Sequence, residues 1–167
     1  MTFNLLPSER AIHNVTFPSE KQAIIWKQKQ DGYSTTEIAH NFNASLAYVS
    51  KAIRVTNKKI EVILQDVARS NMIELSKLDT TQGFAYGFSP MLNRKAYISF
   101  TPKLGAHVWY DHEANCENCP ALNQCRALIE KESEERGIEI PIDLERETER
   151  AEYIIEKIFQ RIGWKFQ

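Results

Sequence analysis

Residues Ser34 to Arg54, read as Ser-Thr-Thr-Glu-Ile-Ala-His-Asn-Phe-Asn-Ala-Ser-Leu-Ala-Tyr-Val-Ser-Lys-Ala-Ile-Arg, leave few local structures open. Ser34 and Glu37 stand at capping-box spacing, so a helix is expected to start just after Ser34. Ile38, Ala39 and Phe42 fall at helical spacing and can share one buried face. Asn43 sits where that helix must stop, and Asn tolerates the left-handed backbone a tight stop requires. Ser45 can cap a second helix, with Val49, Ala52 and Ile53 facing the core. Ala39 is small where the two helices would cross. Leu46, Ala47, Tyr48, Ser50, Lys51 and Arg54 are left on the solvent side, and a polar, basic outer face of this kind suits the major groove of DNA.

The pattern resembles the helix-turn-helix of DNA-binding regulators, in particular the sigma-factor region-4-like group. The matching residues are Glu37-Ile38-Ala39, the turn residue Asn43, Ser45, and Val49-Ser50-Lys51-Ala52-Ile53-Arg54. Asn43 stands where that group usually has Gly, a change that conformation permits. The resemblance spans 21 of 167 residues. It implies double-stranded DNA as partner, with Tyr48, Lys51 and Arg54 toward the groove, Ser45 and Lys58 nearer phosphates, and Leu46, Ala47 and Ser50 on the same face. The same residues also describe an αα-hairpin that binds no DNA.

Charge is distributed unevenly. Residues 1–60 hold eight bases and four acids, net +4, whereas residues 113–167 hold thirteen acids and eight bases, net −5. A basic front suits docking on phosphate. A length of 167 residues allows one larger domain or two small ones, and 43% apolar residues is ordinary for a globular chain. No apolar run is long enough to span a membrane, and no secretion signal is legible, so the expected location is the cytoplasm.

Taken in order, residues 1–18 read as a loosely ordered arm in which Arg10 and His13 could touch a DNA backbone. Ser19 and Gln22 again have capping-box spacing, and a helix to Gln30 offers Ala23, Ile24 and Trp26 as apolar surface. The DNA-binding domain is expected over 19–59. Ile60, Leu64, Val67, Asn71 and Leu78, widened by Ile63 and Leu75, predict a connecting amphipathic helix over 60–78. Three strands follow, 83–89, 96–101 and 106–110, as an antiparallel meander that opens a C-terminal domain, 79–167. Helices are expected from Leu122 to a stop at Gly137, and from Asp143 to Ile162. The last carries Ala151, Ile154, Ile155, Ile158, Phe159 and Ile162, which bury either against the sheet or against a second subunit. The fold class is therefore α+β, mainly helical, and a homodimer is expected.

Cys116, Cys119 and Cys125, with spacing Cys-x2-Cys-x5-Cys, hold all the thiols of the chain. An odd number so closely grouped makes a poor disulfide framework and a plausible metal site. A four-fold site lacks one ligand. His112 is nearest in sequence, with Asp111, Asp66 and His107 as weaker candidates. Zinc would staple the sheet to the helices; a [4Fe–4S] cluster would use three thiolates and a fourth, non-cysteine donor; the thiols could also be unmetallated. The spacing is similar to cluster-binding segments in oxygen-sensing regulators related to the cyclic-AMP receptor family, and to auxiliary cluster motifs in radical enzymes. The whole chain looks like archaeal regulators that join an N-terminal helix-turn-helix to a short cysteine cluster. No catalytic Ser/His/Asp set and no phosphate-binding Gly-rich loop is legible. The sequence thus leads to a DNA-binding transcription regulator whose iron–sulfur cluster senses redox state or oxygen. The alternative is a zinc-stapled protein-interaction module that binds no DNA.

Overall fold

The structure, a computed structural model, describes residues 16–113 and 115–165. Arg10 and His13 lie outside the described residues. The elements run α1 (Glu20–Gln30), α2 (Thr35–Asn41), α3 (Leu46–Ser70), β1 (Glu74–Asp79), β2 (Phe84–Ser89), β3 (Arg94–Thr101), β4 (Gly105–Tyr110), α4 (Leu122–Arg136) and α5 (Glu147–Ile162). The class is α+β.

Local sequence chemistry sets the first three helices. Ser19 and Ser34 each close a full capping box, with Gln22 and Glu37 returning the bond to the cap backbone. The Ser45 hydroxyl accepts the Tyr48 N–H at 3.1 Å and starts α3. Asn43 takes the left-handed conformation, φ 47°, between α2 and α3. Ile25, Ile38, Ala39, Val49 and Ala52 bury together, with Phe42, Ala44 and Ile53 at the edge. Ile24, expected to supply apolar surface, is 46% exposed, and Ile25 takes the buried place instead.

Two expectations about the middle of the chain are corrected. First, no break separates a DNA-binding helix from a connecting helix: α3 runs unbroken for 25 residues through Asn57-Lys58-Lys59. Thr56 is fully buried inside it and satisfies its hydroxyl on the Ala52 carbonyl at 2.7 Å. Second, the helix ends at Ser70 and not at Leu78. The Asn71 side chain donates to the Val67 carbonyl at 2.8 Å, Met72 turns left-handed at φ 51°, and the Ile73 N–H reaches back to the Ala68 carbonyl at 2.8 Å. Those bonds satisfy carbonyls that the helix end would otherwise orphan.

Residues 74–79 then form a fourth strand. A bulge between Leu75 and Lys77 explains why they read as helix. In a regular strand residues three apart face opposite sides, but the extra residue brings Leu75 and Leu78 against the same core. Gly87 lies opposite the bulge, where a Cβ would meet the Glu74 carbonyl oxygen at 2.1 Å.

The sheet is antiparallel in the order β1-β2-β3-β4, with Tyr97 of β3 between Tyr86 and Trp109, and Ser99 opposite His107. Alternation sends Ala85, Ala96, Ile98 and Phe100 to one face, where Ile60, Ile63, Leu64 and Ala68 of α3 cover them together with Trp26. The Trp26 indole N–H donates to the Thr80 carbonyl at 3.0 Å, tying α1 to the β1–β2 turn. A boundary at residue 59 or 60 would fall in mid-helix. The other face presents Phe84 and Tyr97 to Ile129 of α4 and to Ile154, Ile155, Ile158 and Phe159 of α5. Helix α5 begins at Glu147, not Asp143. The apolar stripe of α5, which could have buried against a second subunit, is thus covered by the chain's own sheet, as is that of α3. Among the described residues no helix is long and apolar enough to cross a membrane.

Candidate functional site

The first candidate surface is the opening half of α3. Ser45, Leu46, Ala47, Tyr48, Ser50, Lys51, Arg54 and Lys58 are all exposed, while Val49 and Ala52 between them are buried. The helix is thus anchored by one side and presents the other. Its charges are not equivalent. Lys58 is engaged by Glu61 at 2.7 Å, whereas Lys51 and Arg54 form no ion pair with any described residue. Lys21 reaches across from α1 to within 5.0 Å of the Tyr48 ring centroid and adds a third positive group. His40 on α2 is exposed.

The second is a cavity of about 370 Å³ between the end of β4 and the start of α4 and α5. The backbone brings the three thiols to it stepwise. After β4, the Asp111 N–H donates to the Lys95 carbonyl at 2.9 Å and holds the outgoing chain to the sheet. A 3-10 turn over Cys116–Asn118 follows, closed by the Cys119 N–H on the Cys116 carbonyl at 3.2 Å. Cys125 then lies in the first part of α4, its N–H on the Ala121 carbonyl at 2.9 Å. All three thiols are free, half-buried and line the one cavity, with Tyr97 and Trp109 forming its sheet wall. Burial pushes the Cys125 thiol up, and Glu147, Cys116 and Cys119 push it further. Burial also pushes the Tyr97 phenol up to about 12, with Asp111 and Glu152 adding to it.

The proposed fourth ligands separate clearly. His112 and Asp111 line the cavity at its exposed rim, and His112 Nδ1 lies 2.8 Å from the Tyr110 carbonyl, which leaves Nε2 free. Asp66 belongs to α3 across the sheet and pairs with Arg69 at 2.6 Å. His107 is turned to Glu132, 3.5 Å from Oε2. Glu147, not anticipated from the sequence, also lines the cavity, is buried, and receives the Arg126 Nε–H on Oε1 at 2.8 Å. Burial works to raise its pKa, but the Arg126 hydrogen bond and the charges of Arg126 and Arg150 outweigh that and hold it low. Among the described residues, no three His, Cys, Asp or Glu side chains form a group that could hold a metal ion as they stand. The donors share a cavity without being drawn together.

One position further along the same sheet face lies a buried polar network that the sequence did not announce. Glu132 and Arg136, one turn apart on α4, are fully buried and paired. Arg136 also donates to the Gln82 carbonyl at 2.9 Å and to the Ser99 hydroxyl at 2.7 Å, and Ser99 in turn donates to Glu132. His107 faces this network with neither ring nitrogen hydrogen-bonded, its ring centroid 4.8 Å from that of Trp109. Burial lowers its pKa; Glu132 opposes that and Arg136 adds to it. An i,i+4 acid–base pair is ordinary on a helix surface, so the spacing of Glu132 and Arg136 does not mark them as buried. Compared with known proteins, the chain matches no protein-family model, and neither a curated protein nor a solved structure matches it.

Proposed function

We propose that the protein is a sequence-specific DNA-binding transcription regulator that lays the first half of α3 in the major groove. The single observation that supports this most is that Lys51 and Arg54 form no ion pair among the described residues, on an exposed face whose opposite side is locked into a core. Free cations on a rigid helix can neutralise phosphates or reach base edges without first breaking internal ion pairs. In this reading the thiol cavity holds the regulatory metal centre, either a [4Fe–4S] cluster or zinc. The chemistry it supplies is soft-metal ligation by Cys116, Cys119 and Cys125, with redox sensitivity if the centre is a cluster. A homodimer reading two half-sites would have to use surface other than the apolar stripes of α3 and α5.

The test is binding to duplexes selected from a random pool, read by anisotropy across a salt series. Tight binding should weaken steeply with salt, and Lys51→Ala with Arg54→Ala should cost about tenfold or more and flatten the salt slope by about two contacts. Unchanged affinity in a double variant that keeps its helical circular dichroism removes these residues from the interface. Leu46 and Tyr48, 52% and 43% exposed, favour a second reading in which the hairpin docks a protein. Salt-insensitive capture of a protein partner, with no selected duplex, would select it.

A further inference from the structure

The three thiols lack a fourth donor, and proximity in sequence nominates His112. The geometry points to a different residue: we propose that the cavity takes a single soft divalent cation of the zinc class, and that Glu147 completes Cys116, Cys119 and Cys125. This rests on the reading of the cavity as a metal centre and names its donor set.

Four observations support the assignment. Glu147 is the first residue of α5 and lines the same cavity as the thiols, with only 4% of its side chain exposed. Arg126 and Arg150 already offset the cost of burying this carboxylate, so it is held as the anion that a metal ion requires. Its ion-pair partners, Arg126 at 2.8 Å and Arg150 at 4.0 Å, both address Oε1, so Oε2 carries no ion pair. An ion on Oε2 would leave the Arg126 bond in place, and that bond would fix the carboxylate's direction as outer-shell partners of metal ligands do. His112, by contrast, is exposed at the rim.

Glu147, Cys116, Cys119 and Cys125 line one cavity whose opposite wall is Tyr97, Trp109 and Ile155. Side chains that share a cavity without being drawn together need an ion to gather them, and a divalent cation offset by thiolates and a carboxylate would do so. Carboxylate oxygen is an accepted zinc donor beside thiolate, and three thiolates with one carboxylate complete the four-fold set of a single ion. Because the donors come from a 3-10 turn, from α4 and from α5, the ion would close the helices upon the end of the sheet. Binding and local ordering would be one event.

The experiment starts from full-length protein stripped of metal by chelator, reduced and kept free of oxygen, and titrates it with cobalt(II), followed by zinc(II) competition. Wild type should bind one equivalent with the intense visible bands of tetrahedral cobalt. Glu147→Gln keeps the shape and removes the anionic donor; it should weaken binding tenfold or more and shift those bands, whereas His112→Ala should stay within about twofold. Glu147→Asp, which keeps the donor on a shorter arm, should recover part of the affinity, and it stands in if the Gln variant does not fold. Loss of cobalt in His112→Ala with full retention in Glu147→Gln overturns the assignment of Glu147. Iron and sulfide in equal, cluster-like amounts in anaerobically purified protein overturn the single ion. Wild type that binds neither cobalt nor zinc overturns the metal reading of the cavity itself.

Discussion

Against one face of the sheet, α3 lays Ile60, Ile63, Leu64 and Ala68 on Ala85, Ala96, Ile98 and Phe100. Against the other, α4 and α5 bring an isoleucine-rich patch, but here too lie a fully buried Glu132–Arg136 pair, the His107 imidazole of β4 with neither ring nitrogen hydrogen-bonded, and three thiols around a cavity. The first face follows from apolar burial alone, which is non-directional and forgiving of small shifts. The second depends on specific partners in specific places. A buried charge pair gives little net stability against apolar residues of similar volume, but losing one member is severe. The difference teaches where this fold can vary. Packing on the α3 side holds the hairpin to the sheet, and the polar side fixes how α4 lies and so where the cavity opens.

The sharpest way to break that comparison is Arg136→Met. It strands Glu132, of which no part is exposed, with only Ser99 and His107 nearby. The expected loss is about 3–5 kcal/mol in urea denaturation. Glu132→Leu together with Arg136→Met should recover much of it, because the desolvated charge is gone. A single variant that loses less than about 1 kcal/mol would make the network ornamental and put both faces on the same footing.

On the dry face, Leu64→Ala should cost about 2–5 kcal/mol through lost contacts and a residual cavity, with no rescue by a charged partner change. Since α3 joins the hairpin to the sheet, the transition should remain a single one by both tryptophan fluorescence and far-ultraviolet circular dichroism. Two separate transitions would show that the hairpin folds independently and would restore a boundary near residue 60.

What the sequence made legible was whatever is set by neighbours in the chain. Ser19, Ser34 and Ser45 start helices by bonds to residues three further on, and Asn43 and Gly137 turn left-handed where local chemistry calls for it. Alternation exposed β2, β3 and β4 directly. Strand β1 was hidden because its bulge places Leu75 and Leu78 on one side and so imitates a helix. The cysteines were legible as a group because their spacing is local. Glu147 was not, because it arrives on the next helix, and only packing places it on the cavity wall. Glu132 and Arg136 escaped notice for a related reason: a surface pair and a buried pair have the same spacing, and Ser99 and His107 enter only through the sheet.

His107 offers a smaller test of the contrast, through pH. Its folded pKa is depressed by burial, with Glu132 partly opposing and Arg136 reinforcing, while the unfolded value is near 6.5. Between the two values the unfolded chain binds a proton that the folded one refuses. Stability is therefore full above the unfolded value and falls as the pH drops through the window beneath it, by at most about 1.4 kcal/mol per pH unit for one proton. His107→Phe should flatten this part of the profile relative to wild type, whatever its effect on absolute stability. An unchanged slope below pH 6.5 would mean that the imidazole finds a partner on protonation, Glu132 Oε2 at 3.5 Å being the nearest acid.

The smallest effect concerns the hairpin rather than either sheet face. Ser45 is exposed, and its hydroxyl satisfies one of the four N–H groups that the start of α3 leaves open. Ser45→Ala should cost about 1 kcal/mol, and Ser45→Asp should cost little because its carboxylate caps equally well and complements the helix N-terminus. The pair separates structure from recognition. If α3 docks on phosphate, the Asp variant should fold as wild type yet bind duplex DNA more weakly and with an altered salt slope, because it sets an anion beside the path that Lys51 and Arg54 offer. If the hairpin binds no nucleic acid, the two variants should differ only in melting temperature. An Asp variant that is fully stable and binds the selected duplex as tightly as wild type would place the start of α3 away from the backbone and move the interface toward Arg54.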